Sequence, residues 1–170
     1  HNSNVKAIVD TNEEMGKELA NEVEGIYYDD FQKVLKNKNI DAIVIATPIL
    51  THKKFIIEGI KAGKHVFCEK PLTLTMENAN EIKDIIDSHN KIFQLAFMRR
   101  FDEDFLFAKN KIKEGAIGTP VFIRSTGRDP GLPPVPGWGA EPEKCGDISF
   151  ELCSHDYDSM RWIMGDEVSE

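Results

Sequence analysis

The run Ala42-Ile43-Val44-Ile45-Ala46-Thr47-Pro48-Ile49-Leu50-Thr51-His52 takes a continuous apolar strand straight into a turn and the start of a helix. Five apolar residues in a row describe a strand buried on both faces, which is what a parallel sheet covered by helices demands. Working outward, Val5 to Val9 reads as a strand ending at Asp10, and Met15, Leu19 and Val23 follow as the apolar stripe of a helix. Ile26-Tyr27-Tyr28 is a short strand, and Asp29 or Asp30 can cap a helix carrying Phe31, Val34 and Leu35. Phe55, Ile56, Gly59 and Ile60 give the helix after the central strand, with Gly63 as its stop. Val66-Phe67-Cys68 is a further buried strand, Thr75 caps a helix reaching His89, and Ile92 to Phe97 is the last strand of the series. Strands and helices alternating in this way make repeated βαβ units. With right-handed crossovers they form an α/β, doubly wound parallel sheet of the Rossmann type.

The texture changes after residue 98, so the doubly wound domain is expected over 1–98 and the start of a second domain over 99–170. Phe105, Ala108 and Ile112 sketch a helix stopped near Gly115 to Gly118, and Val121 to Ser125 reads as a strand. Pro130 to Gly139 holds four prolines in ten residues and reads as an ordered loop. Phe150 to Met164 carries Leu152, Asp156, Met160 and Ile163 at helical spacing.

Composition removes several classes of function. With 170 residues, 21 Lys plus Arg against 29 Asp plus Glu and a net charge of −8, the chain repels polyanions, so neither nucleic acid nor a membrane surface is expected as partner. No apolar run approaches the ~20 residues of a membrane span. Three cysteines, Cys68, Cys145 and Cys153, are too few for a disulfide framework and suit a reducing, cytoplasmic setting. The chain opens at His1, and a piece of something longer is expected.

Chemistry-bearing residues gather at the carboxyl ends of the expected strands, where open α/β sheets bind ligands. Asp10 could accept hydrogen bonds from ribose hydroxyls, or could simply cap a helix; no G-x-G-x-x-G precedes it. Thr47, Pro48 and His52 are placed to border a flat ring, or to form an ordinary helix-capping turn. In Cys68-Glu69-Lys70-Pro71, Lys70 could donate to or take a proton from a substrate oxygen, although loop lysines are commonly just solvated. Glu151 and His155 stand four apart, so one helix face would carry a carboxylate beside an imidazole, the pairing of an oriented general base or of a surface ion pair. Met98-Arg99-Arg100-Phe101-Asp102 sits at the domain junction, where arginines can bind a ligand or tie domains together through carboxylates such as Asp102. Cys145, Cys153 and His155 match no zinc spacing, and no metal is expected.

Taken in order, Ala46-Thr47-Pro48 with His52, Gly63-Lys64-His65-Val66-Phe67-Cys68-Glu69-Lys70-Pro71, Phe97 to Asp102, and His155-Asp156-Tyr157-Asp158 resemble the Gfo/Idh/MocA oxidoreductase family over essentially the whole chain. The arginine junction, Arg128-Asp129-Pro130 and the proline-rich loop resemble its inositol 2-dehydrogenase branch. The resemblance implies an NAD-dependent enzyme, NADP being disfavoured by Asp10, that oxidises a secondary alcohol of a cyclic polyol, above all myo-inositol to the 2-keto inosose, with a dinucleotide-binding domain over 1–98 and the start of an α/β domain with an open sheet over 99–170. It implies Lys70 and His155 as catalytic residues with Glu151, in place of the family's usual Asp, as orienter of the histidine. Cofactor contacts would come from Asp10, Thr47, Pro48, His52, Glu69, Lys70, Pro71, Met98 and Arg99, and substrate contacts from Lys70, Arg99, Glu151 and His155. A homo-dimer or homo-tetramer is implied for the complete protein. The family's first strand, its phosphate loop and most of its second domain are not matched in this sequence, so this piece alone is expected to be inactive, to bind NAD poorly and to be marginally stable. Another sugar or inositol isomer as substrate, or a non-catalytic sugar or nucleotide sensor on the same fold, are the alternatives. A sensor has no use for the proton relay that Lys70, His155 and Glu151 suggest.

Overall fold

A computed structural model describes residues 3–127 and 142–167. Five strands alternate with helices: β1 Ala7–Val9, α1 Glu13–Glu22, β2 Ile26–Tyr28, α2 Phe31–Lys36, β3 Ala42–Ile45, α3 Ile49–Lys61, β4 His65–Cys68, α4 Met76–Asp87 and β5 Phe93–Leu95. A 3-10 turn, Met98–Phe101, leads into α5 Glu103–Lys113, and α6 Pro142–Cys145, α7 Ile148–Glu151 and α8 Cys153–Met164 complete the described chain.

Every strand pair is parallel, as βαβ crossovers require. The single sheet expected from the sequence is present as two ladders. β1 pairs with β2 in the register Ala7 to Ile26, and β3–β4–β5 pair through Ile45 to Cys68 and Cys68 to Leu95, with no ladder joining the two among the described residues.

The expectation that β3 is buried on both faces is corrected. Ile43 and Ile45 are buried, whereas Ala42 and Val44 point to the other face and Val44 is 72% exposed. Successive strand side chains alternate between faces, and among the described residues only one face of β3 is covered. That covered face holds the core: Ile43, Ile45, Val66 and Cys68 from the sheet meet Ile56 and Ile60 of α3 and Ile82 of α4. Ile56, Ile60 and Ile82 are fully buried, and each contributes about 1.5–3 kcal/mol of transfer free energy.

The helix α1 forms where its periodicity put it, but it turns a different face inward. Met15 and Leu19, the expected apolar stripe, are exposed, while Gly16 and Ala20 are buried. The cause is Tyr27. A Cβ on Gly16 would lie 2.5 Å from its ring, so only a residue with no side chain lets the helix approach β2 this closely. Helix starts follow local chemistry: Asn12, Asp30, Thr75 and Asp102 each accept a backbone N–H of the first turn. Lys64 is buried, and its ammonium donates to the carbonyls of Asn37 and Ile40 at 2.7 Å each, holding the connection between α2 and β3 against the end of α3.

Two further expectations change. Residues 121–127 form no strand; Val121 and Phe122 are exposed and have no ladder partner among the described residues. The expected helix over 150–164 is broken at Leu152 into α7 and α8. The proline-rich loop and Arg128-Asp129-Pro130 lie outside the described residues. No described helix is long and apolar enough to cross a membrane.

Candidate active site

β4 delivers Glu69 and Lys70 to the carboxyl edge of the larger sheet, and the Lys70–Pro71 peptide that follows is cis. The Lys70 side chain turns away from solvent, 14% exposed, toward the break between α7 and α8. Its ammonium donates to the Glu151 carboxylate Oε1 at 2.8 Å and to the Glu151 carbonyl oxygen at 2.7 Å. A helix that ends at Glu151 exposes its last carbonyls, and a lysine there satisfies one of them.

His155 lies in the first turn of α8, half-buried, its backbone N–H donating to the Leu152 carbonyl at 3.3 Å. Because Leu152 interrupts the helix, Glu151 and His155 do not share one regular helical face. Glu151 was expected to orient the imidazole; instead its carboxylate accepts from Lys70, and it reaches His155 through charge. Burial holds His155 below the ordinary imidazole range, and the charges of Lys70 and Arg99 push it further down, against a smaller opposing pull from Asp156 and Glu151. The ring is therefore neutral near pH 7, the state in which an imidazole can accept a proton.

Three buried polar atoms at this corner have no hydrogen-bond partner among the described residues: Glu151 Oε2, Ser154 Oγ and His155 Nδ1. An unsatisfied buried polar atom costs about 1–3 kcal/mol, and these three lie within five residues of the chain. An acceptor, a hydroxyl and an imidazole beside an ammonium suit a molecule carrying several hydroxyl groups. Ser154 was missed in the sequence, where its position next to His155 was the available signal.

The arginines at the junction are committed to carboxylates. Arg99 donates to Asp156 at 2.6 Å and stacks over the Phe105 ring, 5.4 Å from its centroid. Burial pushes the Asp156 carboxyl up, but hydrogen bonds from Arg99 and Ser125, with the charges of Arg99 and His155, hold it below the ordinary carboxylate range. Arg100 grips the buried Asp158 with two hydrogen bonds, of 2.9 and 2.6 Å. Asp102, the carboxylate considered for such a tie, caps α5 instead. Arg99 thus reaches the neighbourhood of His155 already paired, and Met98 is exposed.

The other expected cofactor contacts divide. Asp10 is exposed at the end of β1, accepts from the Asn12 N–H at 2.7 Å, and borders a cavity of about 250 Å³ with Met15, Gly16 and Leu19. A carboxylate at a strand end beside open space fits the ribose hydroxyls of a dinucleotide. Thr47 and Pro48 are exposed on the turn after β3, where the Thr47 and Thr51 hydroxyls lie 2.7 Å apart. Glu69 is exposed and accepts the Lys70 N–H at 3.2 Å. Pro71 and His52 are buried, and both ring nitrogens of His52 are taken by backbone carbonyls, so neither residue offers a cofactor a polar contact through its side chain. The Cys68 thiol is pushed up to about 12 by burial and the Glu69 charge, so it stays protonated and unreactive. Among the described residues no cluster of His, Cys, Asp and Glu could hold a metal. A cavity of about 310 Å³ beside Lys109 and Trp162 shares no residue with the Lys70–Glu151–His155 corner.

Residues 1–97 match the Gfo/Idh/MocA oxidoreductase family with its NAD-binding Rossmann fold, and residues 105–170 match the GFO/IDH/MocA C-terminal domain. The chain is 37% identical over 158 residues to the scyllo-inositol 2-dehydrogenase (NAD(+)) of Bacillus subtilis (strain 168), covering 92% of this chain and 44% of that protein. It is 36% identical over 143 residues to the myo-inositol 2-dehydrogenase of Thermotoga maritima, covering 84% of this chain and 42% of that one. The crystal structure of a probable dehydrogenase from Thermotoga maritima superposes with a TM-score of 0.89 at 33% identity, over 96% of this chain and 49% of that one. The chain spans less than half the length of the curated relatives it matches.

Proposed function

We propose that this chain, which belongs to the Gfo/Idh/MocA family of NAD-binding oxidoreductases, carries the proton-handling site of a dehydrogenase that oxidises a ring alcohol of a cyclic polyol to a ketone. The observation that carries the reading is the meeting of Lys70 with Glu151 beside three buried polar atoms without a partner among the described residues, one of them on His155. Oxidising a secondary alcohol removes a hydride from the carbinol carbon and a proton from its oxygen. Asp10 and the Thr47-Pro48 turn would help to hold NAD, which would supply the hydride acceptor. The protein must supply the rest.

His155 is the base. Its depressed proton affinity keeps it neutral near pH 7 and ready to take the hydroxyl proton. Lys70 donates a hydrogen bond to the same oxygen as negative charge grows there, a contact stronger in the transition state than before it. Glu151 restrains the Lys70 ammonium so that it is already oriented when substrate arrives. Ser154 Oγ and Glu151 Oε2 are then available to neighbouring ring hydroxyls. Asp10 favours NAD over NADP, because a ribose phosphate beside its carboxylate would be repelled.

Relatives named for both the scyllo and the myo isomers of inositol support a cyclic hexitol as substrate, and myo-inositol is our first choice. The test is an assay of the intact protein on a panel of inositols, hexoses and acyclic polyols with NAD and with NADP, followed by reduced-nicotinamide absorbance. NAD reduction with an inositol, and little with acyclic polyols, is the expected result. No turnover of any polyol with either cofactor would refute the reading.

A further inference from the structure

His52 is 1% exposed on α3, and both of its ring nitrogens lie against backbone carbonyls. Nε2 is 2.7 Å from the Thr47 carbonyl oxygen, at the end of β3, and Nδ1 is 3.0 Å from the Pro71 carbonyl oxygen, beyond β4. Both partners can only accept. Each neutral tautomer donates to one of them, and the ring carrying two protons donates to both.

What the backbone cannot do here gives the contact its purpose. The β3–β4 ladder ends with the Glu69 N–H donating to the Ile45 carbonyl at 2.9 Å. One residue on, the Lys70 N–H turns to the Glu69 side chain, and Pro71 has no N–H to give. The segment carrying Lys70 thus leaves the sheet without a further backbone tie to β3, and the His52 ring spans that gap. Its other anchor is rigid: the Thr51 hydroxyl donates to the Pro48 carbonyl at 2.7 Å, and the Thr51 N–H reaches the same carbonyl at 2.9 Å.

We infer that His52 is a positioning residue, a side-chain substitute for the sheet ladder that fixes the Lys70-Pro71 segment relative to the Thr47-Pro48 turn. The inference rests on reading Lys70 as the amine that meets substrate. It makes His52 neither a cofactor ligand nor a proton carrier.

The test uses the intact protein with His52→Leu, which keeps bulk and removes the donors, and His52→Gln, whose amide group keeps two hydrogens to donate. Amide hydrogen exchange is followed in peptides covering 46–52 and 69–74, with α4 as internal control, alongside steady-state kinetics on an inositol. For His52→Leu we expect faster exchange in both segments, unchanged exchange in α4, and kcat down by about 10- to 100-fold, the size of effect that misplacing a catalytic group by about an ångström produces, with a smaller rise in KM for NAD from the loosened Thr47-Pro48 turn. His52→Gln should recover most of kcat and restore slow exchange. If leucine prevents folding, His52→Asn, which keeps a donor but is too short to span both carbonyls, should show the same pattern in weaker form. Exchange that rises in one segment only, rises equally in α4, or does not change would overturn the inference, as would a loss of kcat that glutamine fails to rescue. Should the wild-type protein oxidise no polyol, the dehydrogenase reading fails, while the exchange comparison still decides whether His52 ties the two segments.

Discussion

The Lys70 ammonium meets Glu151 twice, at the carboxylate, 2.8 Å away, and at the backbone carbonyl, 2.7 Å away, and so joins the edge of the parallel sheet to the junction of α7 and α8. The side chains are 14% and 30% exposed, enough burial for the pair to hold its geometry. The contact brings a residue of the Rossmann sheet near enough for its charge to act on the histidine of α8.

Glu151→Gln keeps an acceptor for Lys70 but removes the charge, and Glu151→Ala removes both while the backbone carbonyl remains. We expect kcat on an inositol to fall by about 10-fold for glutamine and by about 100-fold for alanine, within the range of acid–base contributions. Steady-state kinetics of the intact variants checks the order. Alanine falling no further than glutamine would show that the carboxylate does not orient the amine.

The direction of the His155 shift sets a pH profile. Its folded-state proton affinity is depressed, mainly by burial, so the acid limb of kcat/KM, where the base becomes protonated, should lie below the ordinary imidazole value of about 6.5. The same shift acts on stability. The unfolded chain takes up the proton first as pH falls, so the stability tied to neutral His155 is present above about pH 6.5 and is lost progressively below it. A pH–rate profile and denaturant melts of wild type against His155→Gln, between pH 5 and 8, read both effects; the variant should show less acid destabilisation.

Arg100 and Asp158 are bound by two hydrogen bonds, with the Asp158 side chain 4% exposed and that of Arg100 42% exposed. Arg100→Ala leaves a buried carboxylate unpaired. Breaking a fully buried pair costs about 3–5 kcal/mol, and the exposure of the arginine reduces this to roughly 2–3 kcal/mol. Urea denaturation of the single variants and of Arg100→Ala with Asp158→Ala should show the double variant less destabilised than the sum of the singles.

Gly16→Ala tests the packing of α1. The new methyl would meet the Tyr27 ring at 2.5 Å, and we expect a loss of about 1–3 kcal/mol despite the higher helix propensity of alanine. Pairing it with Tyr27→Leu, which frees the space, should recover part of that loss in thermal melts.

Much of this arrangement can be read from residues alone. The strands announce themselves as short β-branched runs, and Asp30, Thr75 and Gly63 mark helix ends by chemistry that needs no distant partner. Lys70 and His155 stand out because their motifs occur in one order along the chain. What sequence hides is set by contacts between distant segments. Periodicity pointed Met15 and Leu19 inward, because only the approach of Tyr27 makes a glycine-and-alanine face the better one to bury. The spacing of Glu151 and His155 suggested a carboxylate–imidazole pair, but Leu152 breaks the helix and Lys70, 81 residues away, claims the carboxylate. The arginines gave no sign of which carboxylates they hold, and His52 looked like a ring-side ligand until its two carbonyl partners were in view.

Whether Lys70 and His155 serve one alcohol oxygen is tested most directly by a double-mutant comparison. In the intact protein, Lys70→Ala and His155→Ala should each lower kcat for inositol oxidation by about 10²- to 10⁴-fold, with NAD binding by fluorescence titration little changed. The double variant should be about as slow as the slower single variant, because groups acting on the same proton do not add. Turnover of either single variant close to wild type, or losses that multiply in the double variant, would contradict the account.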